Sequence, residues 1–197
     1  MRRFVLLVWL LLPVLVGFYH AGPGQEGALL DRINQHLQDA QRAIANADRA
    51  VADEAYSQAL ALLPADRTEE SRRIRLERAK NQMLNRQLPT AHQELKSLVD
   101  EMTGDASSKP QLVADARQAL ANAQYYMTWL MRLEGQPKDR WEPEIEGARQ
   151  AYRLLAERAE GAGEPEQVQR NREDLESAIR LARMDLSDLQ GLPIPSQ

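Results

Sequence analysis

Three histidines, His20, His36 and His92, and the acids Glu142, Glu144 and Glu146 beside Trp141 are the side chains of this sequence best suited to acid–base or metal chemistry. Each histidine stands alone, with no carboxylate or second histidine at metal-ligand spacing. The three glutamates would work as acid and base only if a cleft held them across from one another. At the start of a helix they serve the helix dipole instead. The chain has no cysteine. Disulfides, thiolate ligands, a cysteine nucleophile and a lipid-bearing N-terminal cysteine are therefore excluded. No Gly-rich phosphate loop, nucleophile elbow or zinc motif is present. An aromatic and methionine cluster, Tyr125, Trp129 and Met131 with Trp141 nearby, would suit a small-molecule pocket if polar groups converged on it. The expectation is no enzyme: no catalytic residue, no cofactor and no metal site.

That cluster belongs to the stretch around which the chain is organised. Leu112, Ala116, Ala119, Ala123, Tyr126, Leu130 and Leu133 recur at steps of three and four, the period of one helical face. From Tyr125 to Met131 the apolar residues spread all round, which places a helix in an interior. Alanines permit close approach and the aromatics supply contact area. The chain as a whole is rich in good helix formers and poor in β-branched residues and Phe. A net charge of −4 argues against nucleic acid as a partner.

The N-terminus bears on location. Met1-Arg2-Arg3 precedes an uncharged run, Phe4 to Tyr19. Basic residues before an apolar run make a secretion signal or an uncleaved anchor. Cleavage after Ala21 would put Tyr19, and after Gly22 His20, where a small residue is wanted. An uncleaved single-pass anchor over 1–21 is expected, with the body outside the cytoplasm (periplasmic in a bacterium). Secretion after cleavage is the alternative. The arginine pair is a weak hint of twin-arginine export. Gly22-Pro23-Gly24 opens a linker over 22–27, and the folded domain is expected over 28–190.

Within that domain, apolar spacing predicts helices over Gln25–Ala45, Asp48–Leu63 and Thr68–Arg86, and another from Leu88-Pro89-Thr90. Pro64 ends the second. Thr103 to Pro110 reads as a flexible loop. After the central helix, Gly135 to Pro143 reads as an enlarged turn. A helix then opens with Trp141 packing back as a staple and closes at Gly161-Ala162-Gly163. A last helix, about Pro165 to Gln190, carries one apolar seam and suits the open end of a stack. Gly191 to Gln197 is expected as an extended tail.

Ala40, Ala52, Tyr56, Ala59 and Leu60 lie 39 residues before Ala79, Ala91, Leu95, Leu98 and Val99, small matching small and large matching large. With Pro64 closing the first copy, this pattern resembles the tetratricopeptide repeat, a helical hairpin of about 34 residues. A divergent third copy pairs Ala123 and Tyr126 with Ala148, Tyr152 and Leu155. The resemblance implies an all-α fold of antiparallel hairpins stacked as a short solenoid with a C-terminal capping helix. It also implies a concave wall, made by the first helix of each hairpin, that binds peptides or helices. Carried over, that wall presents Asn34, Leu37 and Gln41, then Arg73, Leu76 and Lys80, then Arg117, Leu120 and Gln124. The partner-binding residues are accordingly Asn34, Gln41, Arg73, Lys80, Arg117 and Gln124, and the basic stretch Arg67–Arg86 favours an acidic segment. The function expected is a membrane-anchored module for protein binding or complex assembly. The alternatives are a structural bundle that oligomerises through its last helix and a small-molecule binder around Trp129.

Overall fold

The computed structural model describes residues 23–189. The expected anchor over 1–21 and the tail over 191–197 lie outside the described residues. Among the described residues there are seven α-helices and no strand: α1 (Pro23–Ala45), α2 (Arg49–Leu62), α3 (Thr68–Leu84), α4 (Leu88–Gly104), α5 (Pro110–Leu133), α6 (Lys138–Ala162) and α7 (Pro165–Arg183), followed by a 3-10 turn, Leu186–Leu189. The protein is all-α, as its helix-forming composition dictates. No helix among the described residues is long and apolar enough to cross a membrane.

Four boundaries differ from the expected ones. α1 starts at Pro23, inside the stretch read as a linker. The loop before α5 shortens to residues 105–109, because α4 runs on to Gly104. α6 starts at Lys138 with Pro143 inside it, so the enlarged turn shrinks to residues 134–137 and Trp141 is helical. Pro143 is exposed and removes only one backbone bond near the helix start, which the helix tolerates. α7 stops at Arg183, where Met184 turns extended (ψ 151°) and lets the 3-10 turn carry Leu189 back into the core at 1 % exposure.

The chain divides into two compact units, Met1–Ser71 and Arg72–Gln197, the division falling inside α3. In the first unit α1 and α2 form a hairpin whose buried residues are Ile33, Ala40 and Ala43 on one side and Ala52, Ala55, Tyr56 and Ala59 on the other. In the second unit α5 serves two cores. Leu112, Ala116, Ala119 and Ala123 pack with Leu76, Ala79, Ala91, Leu95 and Leu98 of α3 and α4. Ala121 and Tyr125 pack with Ile145, Ala148 and Tyr152 of α6 and with Ala178 and Leu181 of α7. An apolar helix with neighbours on two sides needs two apolar faces, and α5 has them.

The two hairpins of the 39-residue comparison bury matching residues. Ala40, Ala52 and Ala59 in one, and Ala79, Ala91 and Leu98 in the other, are all 0 % exposed. Their turns match as well. Ala47 and Arg86, 39 positions apart, both take the left-handed conformation at φ 59°. Asp48 N donates to Ala43 O (2.8 Å) and Gln87 N to Gln82 O (3.0 Å), closing each first helix with the same six-residue bond. A left-handed conformation costs a residue with a Cβ about 1–2 kcal/mol, part of which glycine returns as unfolded-state entropy. Ala47→Gly and Arg86→Gly are each expected to stabilise the protein by about 0.5–1 kcal/mol, read as a rise in the midpoint of urea unfolding.

Contacts in the second unit fix the helix directions. Arg72, early in α3, reaches Glu101 and Asp105, late in or just after α4, so these helices are antiparallel. Arg158, late in α6, donates to the Pro110 carbonyl at the start of α5. Gln118 of α5 reaches Asp174 of α7, and Trp129 further along α5 reaches the Leu189 carbonyl, so α5 and α7 run parallel. His92 of α4 meets Glu144 of α6, early residue to early residue.

Candidate functional site

A groove of about 620 Å³ opens in the second unit. One wall is the end of α3, with Lys80, Met83 and Leu84. The floor is the first half of α5, where Gln111, Asp115, Gln118 and Asn122 recur at steps of three and four. Leu155, Arg158 and Ala159 of α6 and Gln167, Arg170 and Asn171 of α7 close the other side. Leu84, beside the hollow, is 46 % exposed. Its volume falls within the range of ligand sites.

Beneath the groove lies a buried polar network joining α5, α6 and α7. The Tyr152 hydroxyl donates to Asn122 Oδ1 (2.8 Å). Gln118 Nε2 donates to the same oxygen (3.3 Å) and to Asp174 Oδ2 (3.1 Å). Tyr152, Asn122 and Asp174 are 0, 6 and 4 % exposed. Burial, with Asp174 close by, pushes the Tyr152 hydroxyl well above its ordinary pKa. Satisfied networks of this kind fix a single packing arrangement. Asn171, one turn before Asp174, is fully buried and bonds to nothing.

Of the residues expected to bind a partner, Lys80 lines the groove. Asn34 and Gln41 are exposed on α1 of the first unit, and Arg73 is exposed on α3. Leu76 is 1 % exposed and belongs to the core. Arg117 and Gln124 are turned away from the groove. Arg117 donates to Thr103 of α4 (3.3 Å). Gln124 packs where α6 comes closest, since a Cβ on Gly147 would stand 2.5 Å from its Nε2. The cause is phase. The third hairpin is set by Ala121, which clusters with Ala148 and Tyr152, and not by Ala123, which faces α3 and α4. Two residues are about 200° of helix. Counting from Ala121 moves Arg117, Leu120 and Gln124 to Asp115, Gln118 and Asn122, the groove residues that sequence reasoning missed.

Other clusters do structural work. Arg72, 7 % exposed, donates to Glu101 (2.8 Å), Asp105 (2.7 Å) and the Ser108 hydroxyl (3.1 Å), and Arg75 donates to Glu94 and Glu101 (both 2.6 Å). Bonds from Ser107 and Arg72 pull Asp105 down to about 2, and bonds from Arg72 and Arg75 hold Glu101 below the usual range. Both carboxyls are depressed in the folded state, so they lend stability above the unfolded value near pH 4 and lose it as pH falls toward 2. Urea midpoints should therefore drop between pH 5 and pH 2.5, and Arg72→Gln should flatten that drop. His92 Nε2 lies 2.9 Å from Glu144 Oε2, a pairing invisible in sequence because 52 positions separate the partners. The imidazole bond holds the Glu144 carboxyl low.

The aromatic centre is occupied by its own neighbours. Tyr125 is 2 % exposed and meets Tyr126 edge-to-face at 5.8 Å. Burial pushes its hydroxyl up to about 12. Trp129 Nε1 donates to the Leu189 carbonyl (3.4 Å). Arg132 donates to the carbonyls of Leu181 and Met184 at the end of α7 and lies 4.8 Å from the Trp141 ring centroid. None of Tyr125, Trp129 and Met131 lines the groove. Among the described residues no group of three or more His, Cys, Asp or Glu could hold a metal ion. Comparison of the chain with family models, with curated proteins and with solved structures finds no match.

Proposed function

We propose that this protein is a tetratricopeptide-like docking module, tethered outside the cytoplasm by residues 1–21, whose groove holds a polypeptide segment of a partner. The groove itself carries the reading, because α3, α5 and α7, the first helices of successive hairpins, share one open trough with an exposed Leu84. The parallel run of α5 and α7, the buried alanine pairs and the repeated left-handed turns support the repeat assignment. Lys80, Arg158 and Arg170 on the lining, against Asp115 and Glu164, favour a segment with acidic flanks.

A photo-crosslinking residue placed at Ala114, in the groove, should capture a partner from native membranes. The same residue at Leu133, 42 % exposed at the far end of α5 and outside the groove lining, should not. Lys80→Glu should reduce the Ala114 adduct. Equal adducts from both positions, or none from Ala114, would defeat the proposal. Protease added to spheroplasts, cells stripped of any outer membrane, should digest the body, and protection from it there would defeat the placement.

A further inference from the structure

We infer that the groove reads a primary carboxamide, the side chain of an asparagine or glutamine on an extended partner segment, through Asn171 and Gln118. This rests on the groove being a polypeptide site and specifies what it selects.

Three side-chain atoms at the groove are buried without a partner: Nδ2 and Oδ1 of Asn171, and Oε1 of Gln118. The orientation of Gln118 is fixed, since its Nε2 donates to two oxygens, Asn122 Oδ1 and Asp174 Oδ2. Turning the amide over would aim a carbonyl at two acceptors. Asn171 Nδ2 and Oδ1 both lack a partner. A buried amide left unpaired costs about 1–3 kcal/mol, and native folds rarely leave one so. Nor does local packing call for an amide. Position 171 shares the buried face of α7 with Asp174, Ala178 and Leu181, where an aliphatic residue would cost less.

The unpaired atoms define their complement. Asn171 Nδ2 needs an acceptor, while Asn171 Oδ1 and Gln118 Oε1 each need an N–H. A primary carboxamide supplies one carbonyl and two N–H groups in one plane. A backbone amide has a single N–H. A carboxylate has none and would meet Gln118 Oε1 and the Asp174 carboxylate. An ammonium has no acceptor to offer. Ala114, Ala119, Leu155 and Ala159 surround the approach with apolar surface that suits the methylenes of such a side chain. The three atoms are closed to water as well, so Asn171 must swing toward the groove for the ligand to bond, with Gln118 keeping its bonds to Asn122 and Asp174.

The test uses the full-length chain in detergent micelles, with the side-chain amide NMR signals of Asn171 and Gln118 as the readout. The probes are pentapeptides acetyl-Ala-Ala-X-Ala-Ala N-methylamide, with X as Gln, Asn, Glu or Met. The Gln or Asn peptide should shift both amide signals and bind at least about tenfold more tightly than the Glu and Met peptides. Asn171→Leu should cancel that preference while leaving the unfolding midpoint unchanged or higher. If all four peptides perturb the groove alike, carboxamide selection is wrong and the docking groove survives. If none perturbs it, the inference fails, and the crosslinks from Ala114 separately decide the docking role.

Discussion

Leu95→Ala is expected to lower the unfolding free energy by about 3 kcal/mol. Leu95 is 0 % exposed, at the centre of the core that α3, α4 and α5 share. The cluster it belongs to includes Ala79, Ala91, Ala116 and Ala119. These side chains are too short to move into the space a lost isobutyl group would leave, so the cavity persists and adds to the lost transfer energy. Urea unfolding followed by circular dichroism measures the loss. Leu84→Ala is the control: that side chain is 46 % exposed, and its removal should change the midpoint little. A cost below about 1 kcal/mol at Leu95 would mean that the close packing of this core is mistaken.

Asn122→Ala is the second large effect, at about 2 kcal/mol. It strips the acceptor from the buried Tyr152 hydroxyl and from Gln118 together. Tyr152→Phe should cost about 1 kcal/mol, since it removes a donor and leaves one lone pair unmatched. In the double variant Asn122→Ala should cost about 1 kcal/mol less than it does alone, because no hydroxyl remains to be orphaned. Additive losses would dissolve the network. The same burial gives an alkaline limit. Folded-state values of Tyr125 and Tyr152 are raised, so above pH 10 the unfolded chain ionises first and stability falls.

The helices were readable because each carries some evidence of its own: a stripe at steps of three or four, and in several a proline near the start or a glycine at the end. The first hairpin was readable in part: Ala40, Ala52 and Tyr56, the small and large residues at their spacing, are buried, while Leu37, Ile44 and Leu60 of the same stripes are only half-buried. The groove face of α5 was not. Alanines at 114, 116, 119, 121 and 123 surround that helix, so several could serve as the small residue facing α6. Only packing distinguishes Ala121 from Ala123, and the choice rotates every assigned groove residue by half a circle. The missed Asn171 has a different cause. It lies in a charged helix start, Glu164 to Glu173, whose residues are mostly exposed, and although its spacing from Val168 and Leu175 puts it on their seam, a polar side chain there carries no apolar signal of burial. Pairings such as His92 with Glu144 depend on helix direction, which local sequence does not encode.

The left-handed turns at Ala47 and Arg86 bear on how this chain tolerates changes of length. Neither residue is glycine, so the bend is held by the backbone bond that spans it and not by a permissive side chain. Adding or deleting 39 residues as a block would keep each bend in step with the alanine contact it closes. A change of length inside either bend would break the bond from Asp48 N to Ala43 O, or from Gln87 N to Gln82 O, and leave that carbonyl unpaired. Short insertions are therefore expected to be tolerated best in the connections around residues 105–109 and 134–137, away from both bends.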